Sequence, residues 1–190
     1  MEQRDMTRPR HGWQPARWLA LAFVLALLPL AGAAQGIDEG RVSVHWTDPG
    51  GFAEAGPNAG MRPQQPEEWL VPLARHLAAR AGRMLPERER LEVTITDVKR
   101  AGSVEPWRRP PLDEVRVVKR LYPPHITLSF VLRDAGGNVL REGTRELHDP
   151  AFLDRGTINR NDPLRYEKRL LDDWLRREFA ADAPAGDANG

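Results

Sequence analysis

Two histidine–carboxylate pairs offer the most obvious metal chemistry in this chain: His45 with Asp48, and His148 with Asp149. Imidazole nitrogen and carboxylate oxygen near loops are the donors that many catalytic metal sites use. Neither His-x-x-Asp nor His-Asp is a ligand-spacing motif, and nothing in the sequence brings the two segments together. No metal and no cofactor are therefore expected. Covalent catalysis fares no better. Cysteine is absent, and after residue 34 the only serines are Ser43, Ser103 and Ser129, none within Gly-x-Ser-x-Gly. No phosphate-cradling P-loop is present, and Gly136-Gly137 reads as a hairpin turn. A carboxylate pair for glycoside cleavage obeys no spacing rule. A small hydrolase with an unrecognised carboxylate or metal site thus stands as the alternative to a non-catalytic binding module.

Two further constellations carry physical content. Trp107-Arg108-Arg109 sits among Pro106, Pro110 and Pro111. A guanidinium fork beside an aromatic ring suits phosphate, carboxylate or sugar recognition. The competing explanation is composition: the chain has 25 Arg against three Lys, so neighbouring arginines such as Arg176-Arg177 arise without purpose. The second is Glu167, three positions after Leu164, four before Leu171 and seven before Trp174. At 100° per residue it lies in the middle of an apolar helical stripe. A buried carboxylate needs a partner, and Arg116, in the short strand-like segment Asp113–Val118, is the expected one. Such an ion pair would keep Glu167 ionised, which makes its role structural rather than catalytic.

The elements that must position these groups begin after a leader. Arg4, Arg8, Arg10 and Arg17 precede the apolar run Trp18–Leu30 and the small residues Ala31-Gly32-Ala33-Ala34. A basic start, a short apolar middle and an Ala-rich end are the parts of a secretory signal peptide. The apolar run is well short of the ~20 residues a spanning helix needs. Residues 1–34 are therefore expected to be a signal peptide, cut after Ala33 or Ala34, with the domain released into the periplasm. The leader holds four of the 28 basic and two of the 27 acidic side chains, leaving 24 against 25 and a net charge of −1. Nucleic-acid binding loses its electrostatic argument. With no cysteine, disulfides and a lipidated anchor are excluded as well. No stable membrane insertion is expected after cleavage, and the partner would be an envelope protein or a periplasmic ligand.

Along residues 35–179 the pattern predicts a single domain, followed by a disordered tail over 180–190. Arg41–Trp46 alternates as a short strand. Thr47–Pro66, with four Pro and four Gly, reads as a spacer loop lying on the surface. Glu67–Met84 has a helical stripe of Trp69, Leu70, Leu73, Leu77 and Ala81, with Pro72 expected to delay its start and Gly82 to stop it. His76 lies beside that stripe as a boundary residue. Leu91–Gly102 is the central strand, His125–Arg133 a second, and Val139–Leu147 a charged edge strand after the turn Asp134–Asn138. Asp162 caps a final helix from Pro163 to Phe179. The sum is an α+β class, a two-layer domain: a mainly antiparallel sheet of about four strands with two helices packed on one face.

Several of these residues also form an ordered set. Val42-Ser43-Val44-His45-Trp46 leads into Asp48-Pro49; then come Asp97-Val98, Ala101-Gly102, Asp113, Arg116-Val117, Leu147, Asp149 and Tyr166-Glu167-Lys168, with Leu171 and Trp174. In this order they resemble the domain-of-unknown-function 3016 family, small exported proteins of proteobacteria. The acidic residue that the resemblance places after the Asp-Pro turn is Glu54 here. The resemblance implies export and a compact domain, and it brings no activity or ligand with it.

Overall fold

In a computed structural model, residues 35–56, 65–110, 115–156 and 159–179 are described. The expected leader over 1–34, the tail over 180–190 and Asp113 lie outside them. Leu91, Val93 and Ile95 alternate with polar neighbours, and the segment forms β3 (Arg90–Lys99), buried on those three positions. It is the middle strand of a five-stranded sheet. On one side β3 pairs parallel with β2 (Val42–Trp46), which pairs antiparallel with β1 (Gln35–Glu39). On the other, β6 (His125–Arg133) and then β7 (Val139–His148) follow, both antiparallel. A two-stranded ribbon of β4 (Ser103–Val104) and β5 (Arg116–Val117) stands apart from the main sheet.

Helices α1 (Pro66–Met84) and α2 (Arg165–Phe179) cover one face of the sheet. The buried face of α1 is the expected stripe plus Ala74 and Ala78. On α2 it is Glu167, Leu170, Leu171, Trp174, Leu175 and Phe179. Against them lie Val42, Val44, Trp46, Leu91, Val93, Ile95, Val98, Ile126, Leu128, Phe130 and Leu132, nearly all without solvent access. Trp174, Phe130 and Phe179 meet edge to face with centroids 5.6–5.7 Å apart, a geometry that adds to their burial. The architecture is the two-layer α+β arrangement, with one strand more than the pattern showed and a small second sheet. Among the described residues no helix is long and apolar enough to cross a membrane.

Four local details depart from expectation. Gln35-Gly36-Ile37-Asp38-Glu39 has one apolar residue, so β1 carries no alternation, yet its backbone completes the sheet edge. Pro72 sits exposed inside α1 without delaying it; the helix starts at Pro66. Gly82 does not end α1, since its φ is not positive. The end is held by Arg41, which donates to the carbonyls of Gly82 (2.9 Å), Leu85 (3.1 Å) and Pro86 (2.5 Å). A cation there satisfies the last carbonyls and opposes the helix dipole. Finally, the loop from Thr47 is no mere spacer. Its described part folds into two 3₁₀ turns, Pro49–Gly51 and Ala53–Ala55, and buries Phe52 and Glu54.

At β7 the charge pattern resolves by register. Arg141 and Arg145 oppose Leu132 and Leu128, so they point to the helix side, while Glu142 and Glu146 oppose Val131 and Thr127. Arg145 grips Glu178 of α2 with two bonds, at 2.8 and 2.9 Å, and lies over the Phe130 ring. Arg141 donates to the Glu178 carbonyl. Inward-pointing arginines occupied by a helix end keep this edge from templating another strand.

Candidate binding site

The site grows from a bulge. Between Ile95 and Asp97 the pairing of β3 with β6 slips by one residue, leaving Thr96 extra. Alternation therefore restarts, and Val98 rather than Asp97 turns into the core. Asp97, kept on the other side, accepts the Ala53 N–H at 2.6 Å and tethers the 3₁₀ turns to the strand. Directly after β3 the chain bends at Arg100-Ala101-Gly102. Gly102 has φ +84°, and a Cβ there would stand 2.8 Å from the Val117 carbonyl oxygen. Only glycine fits, because the backbone is left-handed and the ribbon partner touches it.

Two buried carboxylates hold this bend. Glu54, 8% exposed, accepts from the Arg100 backbone N–H (2.8 Å), Arg100 Nε (3.0 Å) and Arg100 Nη2 (2.9 Å). Arg116 Nη2 binds the same Glu54 Oε1, and Lys99 Nζ stands 3.8 Å from Oε2. Arg100 also lies 5.0 Å above the Trp69 ring of α1. Burial, ahead of the charges around it, lowers the pKa of Lys99 and of Arg116. Glu167, 1% exposed, accepts the Ala101 N–H at 2.6 Å through Oε1, and its Oε2 has no hydrogen-bond partner. Burial raises its pKa, against the opposing pull of the Ala101 N–H.

Glu167 is thus buried in the stripe, but Arg116 is not its hydrogen-bond partner. The Arg116 guanidinium is taken by Glu54 and by the carbonyls of Ala101 (3.4 Å) and Gly102 (3.1 Å). Glu167 and Arg116 hold the same dipeptide from its N–H and its C=O sides. This arrangement has a simple cause. The bend leaves a backbone N–H free of the sheet ladder, and a buried carboxylate satisfies it at short range.

A third carboxylate fixes the ribbon beyond the bend. Glu105, 2% exposed, accepts from Lys119 Nζ (2.6 Å) and the Tyr122 hydroxyl (3.1 Å). The Lys119 bond, foremost, keeps its carboxyl below the usual range. Gly102 N–H donates to the Tyr122 carbonyl, and Arg120 binds Asp154. On this fixed base sit exposed groups. Trp107 is 70% exposed and Leu121 76%, with Val115 and Val118 also reaching solvent. Arg109 is exposed, and half-buried Arg108 lies 3.7 Å from Glu105.

The histidine–carboxylate pairs stay apart. β3 and β6 separate β2, which carries His45, from β7, which ends in His148. Asp48 caps the first 3₁₀ turn through Gly50 N–H, and Asp149 accepts from Ala151 N–H and Arg169. Among the described residues no three metal-ligating side chains converge. His76 bonds Asp172 at 2.9 Å, joining α1 to α2.

The described residues therefore form a two-layer α+β fold in which buried carboxylates hold the bend and ribbon next to an exposed tryptophan. The family model described as "Protein of unknown function (DUF3016)" matches residues 40–177, and the chain belongs to that family. Searches of curated proteins and of solved structures return no match. Of the residues that carry the resemblance, Glu54, Asp97, Ala101-Gly102, Arg116-Val117 and Glu167 gather at this one bend.

Proposed function

We propose that the chain is an exported protein whose domain acts in the periplasm as a non-catalytic binding module of the cell envelope. Its contact surface is Trp107, Arg108 and Arg109. The observation that carries this reading is a large aromatic side chain left 70% exposed on a base that three buried carboxylates hold in place. Rigid exposed aromatics beside arginine are the residues that dominate binding energy in protein interfaces. Arg109 is exposed and Arg108 half-buried beside Trp107, so an acidic, partly apolar partner surface complements them. Export is supported by the basic, apolar and small-residue order of residues 1–34.

The test uses the full chain expressed in a proteobacterium. Periplasmic recovery with an intact mass starting at Ala34 or Gln35 is expected; a full-length product in the membrane fraction overturns export. Mild crosslinking then compares the wild type with Trp107→Ala/Arg108→Ala/Arg109→Ala. Partner recovery is expected to fall, with stability changed by no more than ~0.5 kcal/mol per exposed side chain. Unchanged recovery removes these three residues from the contact. A large stability loss would show that Trp107 packs into the fold in solution.

A further inference from the structure

A cleft of about 320 Å³ opens where the outer flanks of α1 and α2 meet the β7–α2 connection. That volume is at the lower end of small-molecule sites. It shares no residue with the Trp107 surface, so the inference goes beyond the binding reading above. Its carboxylates already have partners. Asp162 is held by Lys168 at 2.6 Å, and Asp172 by His76 at 2.9 Å and Arg80 at 3.2 Å. Arg155, which also lines the cleft, binds Asp173 at 2.5 Å.

The cations are not all matched in return. Arg165 lines the cleft and reaches no carboxylate among the described residues. Its Nη1 donates to the Asp162 carbonyl (3.1 Å) and its Nη2 to the Tyr166 hydroxyl (3.2 Å), with the guanidinium 4.3 Å above the Tyr166 ring. Stacking of that kind fixes the plane of the fork while leaving its charge uncancelled. Arg169 lines the same cleft, and its Nε is buried with no hydrogen-bond partner among the described residues. Its Nη groups are occupied by the Phe152 and Arg155 carbonyls and, at 3.4 Å, by Asp149. A pre-oriented guanidinium with no carboxylate partner among the described residues, with the Arg169 guanidinium and Lys168 lining the same cleft, forms an anion-binding arrangement. Planar forks of this type match the oxygens of phosphate in two-pronged fashion.

We infer that this cleft binds a small phosphate-bearing molecule through Arg165, Lys168 and Arg169. A dianion suits a wall where cations outnumber carboxylates better than a single carboxylate does. The experiment titrates inorganic phosphate and phenyl phosphate into the full chain by calorimetry and thermal unfolding, with chloride exchanged to hold ionic strength constant. Saturable binding and a raised melting temperature are expected, with acetate giving neither. Arg165→Gln, checked by circular dichroism to be folded, is expected to weaken phosphate binding roughly tenfold. Arg88→Gln, which removes one exposed positive charge elsewhere, should bind as the wild type does. No saturable phosphate binding, an equal response to acetate, unchanged affinity in Arg165→Gln, or an equal loss in Arg88→Gln would each overturn the assignment. The binding role of the Trp107 surface is untouched by any of these outcomes, since the two readings rest on different residues.

Discussion

Chemical denaturation of Glu54→Ala is expected to show a loss of about 3–5 kcal/mol, the typical cost of removing one member of a buried pair. The reason is what remains behind. Arg100, with its backbone N–H and two guanidinium N–H groups, and Arg116 both rely on this carboxylate. Taking it away leaves the guanidinium side chains of Arg100 and Arg116, 10% and 25% exposed, without this counterion. The loss is a large share of the ~5–15 kcal/mol that holds an ordinary domain folded. A double-mutant cycle with Arg116→Ala should give a coupling energy above ~1 kcal/mol, because the two side chains are in contact. A loss below ~0.5 kcal/mol for Glu54→Ala would place the carboxylate on the surface in solution and remove the anchor from the bend.

Glu167 carries the second large effect, and pH separates its parts. Alanine there strands the Ala101 N–H, which costs roughly 1–3 kcal/mol for an unsatisfied buried donor. Glutamine keeps an oxygen for that N–H and removes the ionisation. Since burial raises the native pKa of Glu167, the folded state binds its proton more readily than the unfolded chain does. Stability from this group is full below the ordinary Glu value of ~4.3 and is lost as pH rises through the raised native value. Arg100, Arg116 and Lys99 around the site moderate the shift, and the charge of Glu54 adds to it. Other carboxylates that salt bridges hold low, such as Asp172, move stability the opposite way. The measurement is therefore the difference between Glu167→Gln and wild type across pH. That difference should move in favour of Gln as pH rises from the acid side. A difference that is flat with pH, or that moves against Gln, would mean that burial does not dominate at Glu167. Coupling between Glu167→Ala and Arg116→Ala should be well below that of Glu54 with Arg116, as the former pair touches only through a shared dipeptide.

The helices and three main strands were legible because each buries one face, and one face is what periodicity reports. β1 was not, since an edge strand whose one apolar residue is Ile37 leaves no apolar alternation. Glu167 announced itself by standing among Leu164, Leu171 and Trp174. Its partner did not, because the free Ala101 N–H exists only after the bulge at Thr96 and the left-handed turn at Gly102 are in place. Glu54 was hidden more deeply. It sits in a Pro/Gly-rich segment with no period, where composition argues for solvent and only the family resemblance singled it out. Trp107 was recognisable as an exposed group from its proline-rich, charged surroundings; the carboxylates beneath it were not.

The one parallel pairing in the sheet also sets an order of assembly. β6 and β7 are joined by a five-residue turn that Asp134 and Asn138 close with mutual hydrogen bonds. That hairpin needs only a short loop to close. β2 meets β3 only after the whole stretch from Thr47 to Glu89, with α1 inside it, has been brought round, and chain-closure entropy opposes that step more strongly. The β1–β2 hairpin is then the natural late arrival, and the first part to detach when the native state opens. Amide exchange under native conditions should reveal lower opening free energies in β1 and β2 than in β3 and β6. Equal protection in all four strands would mean that the domain opens only as a whole.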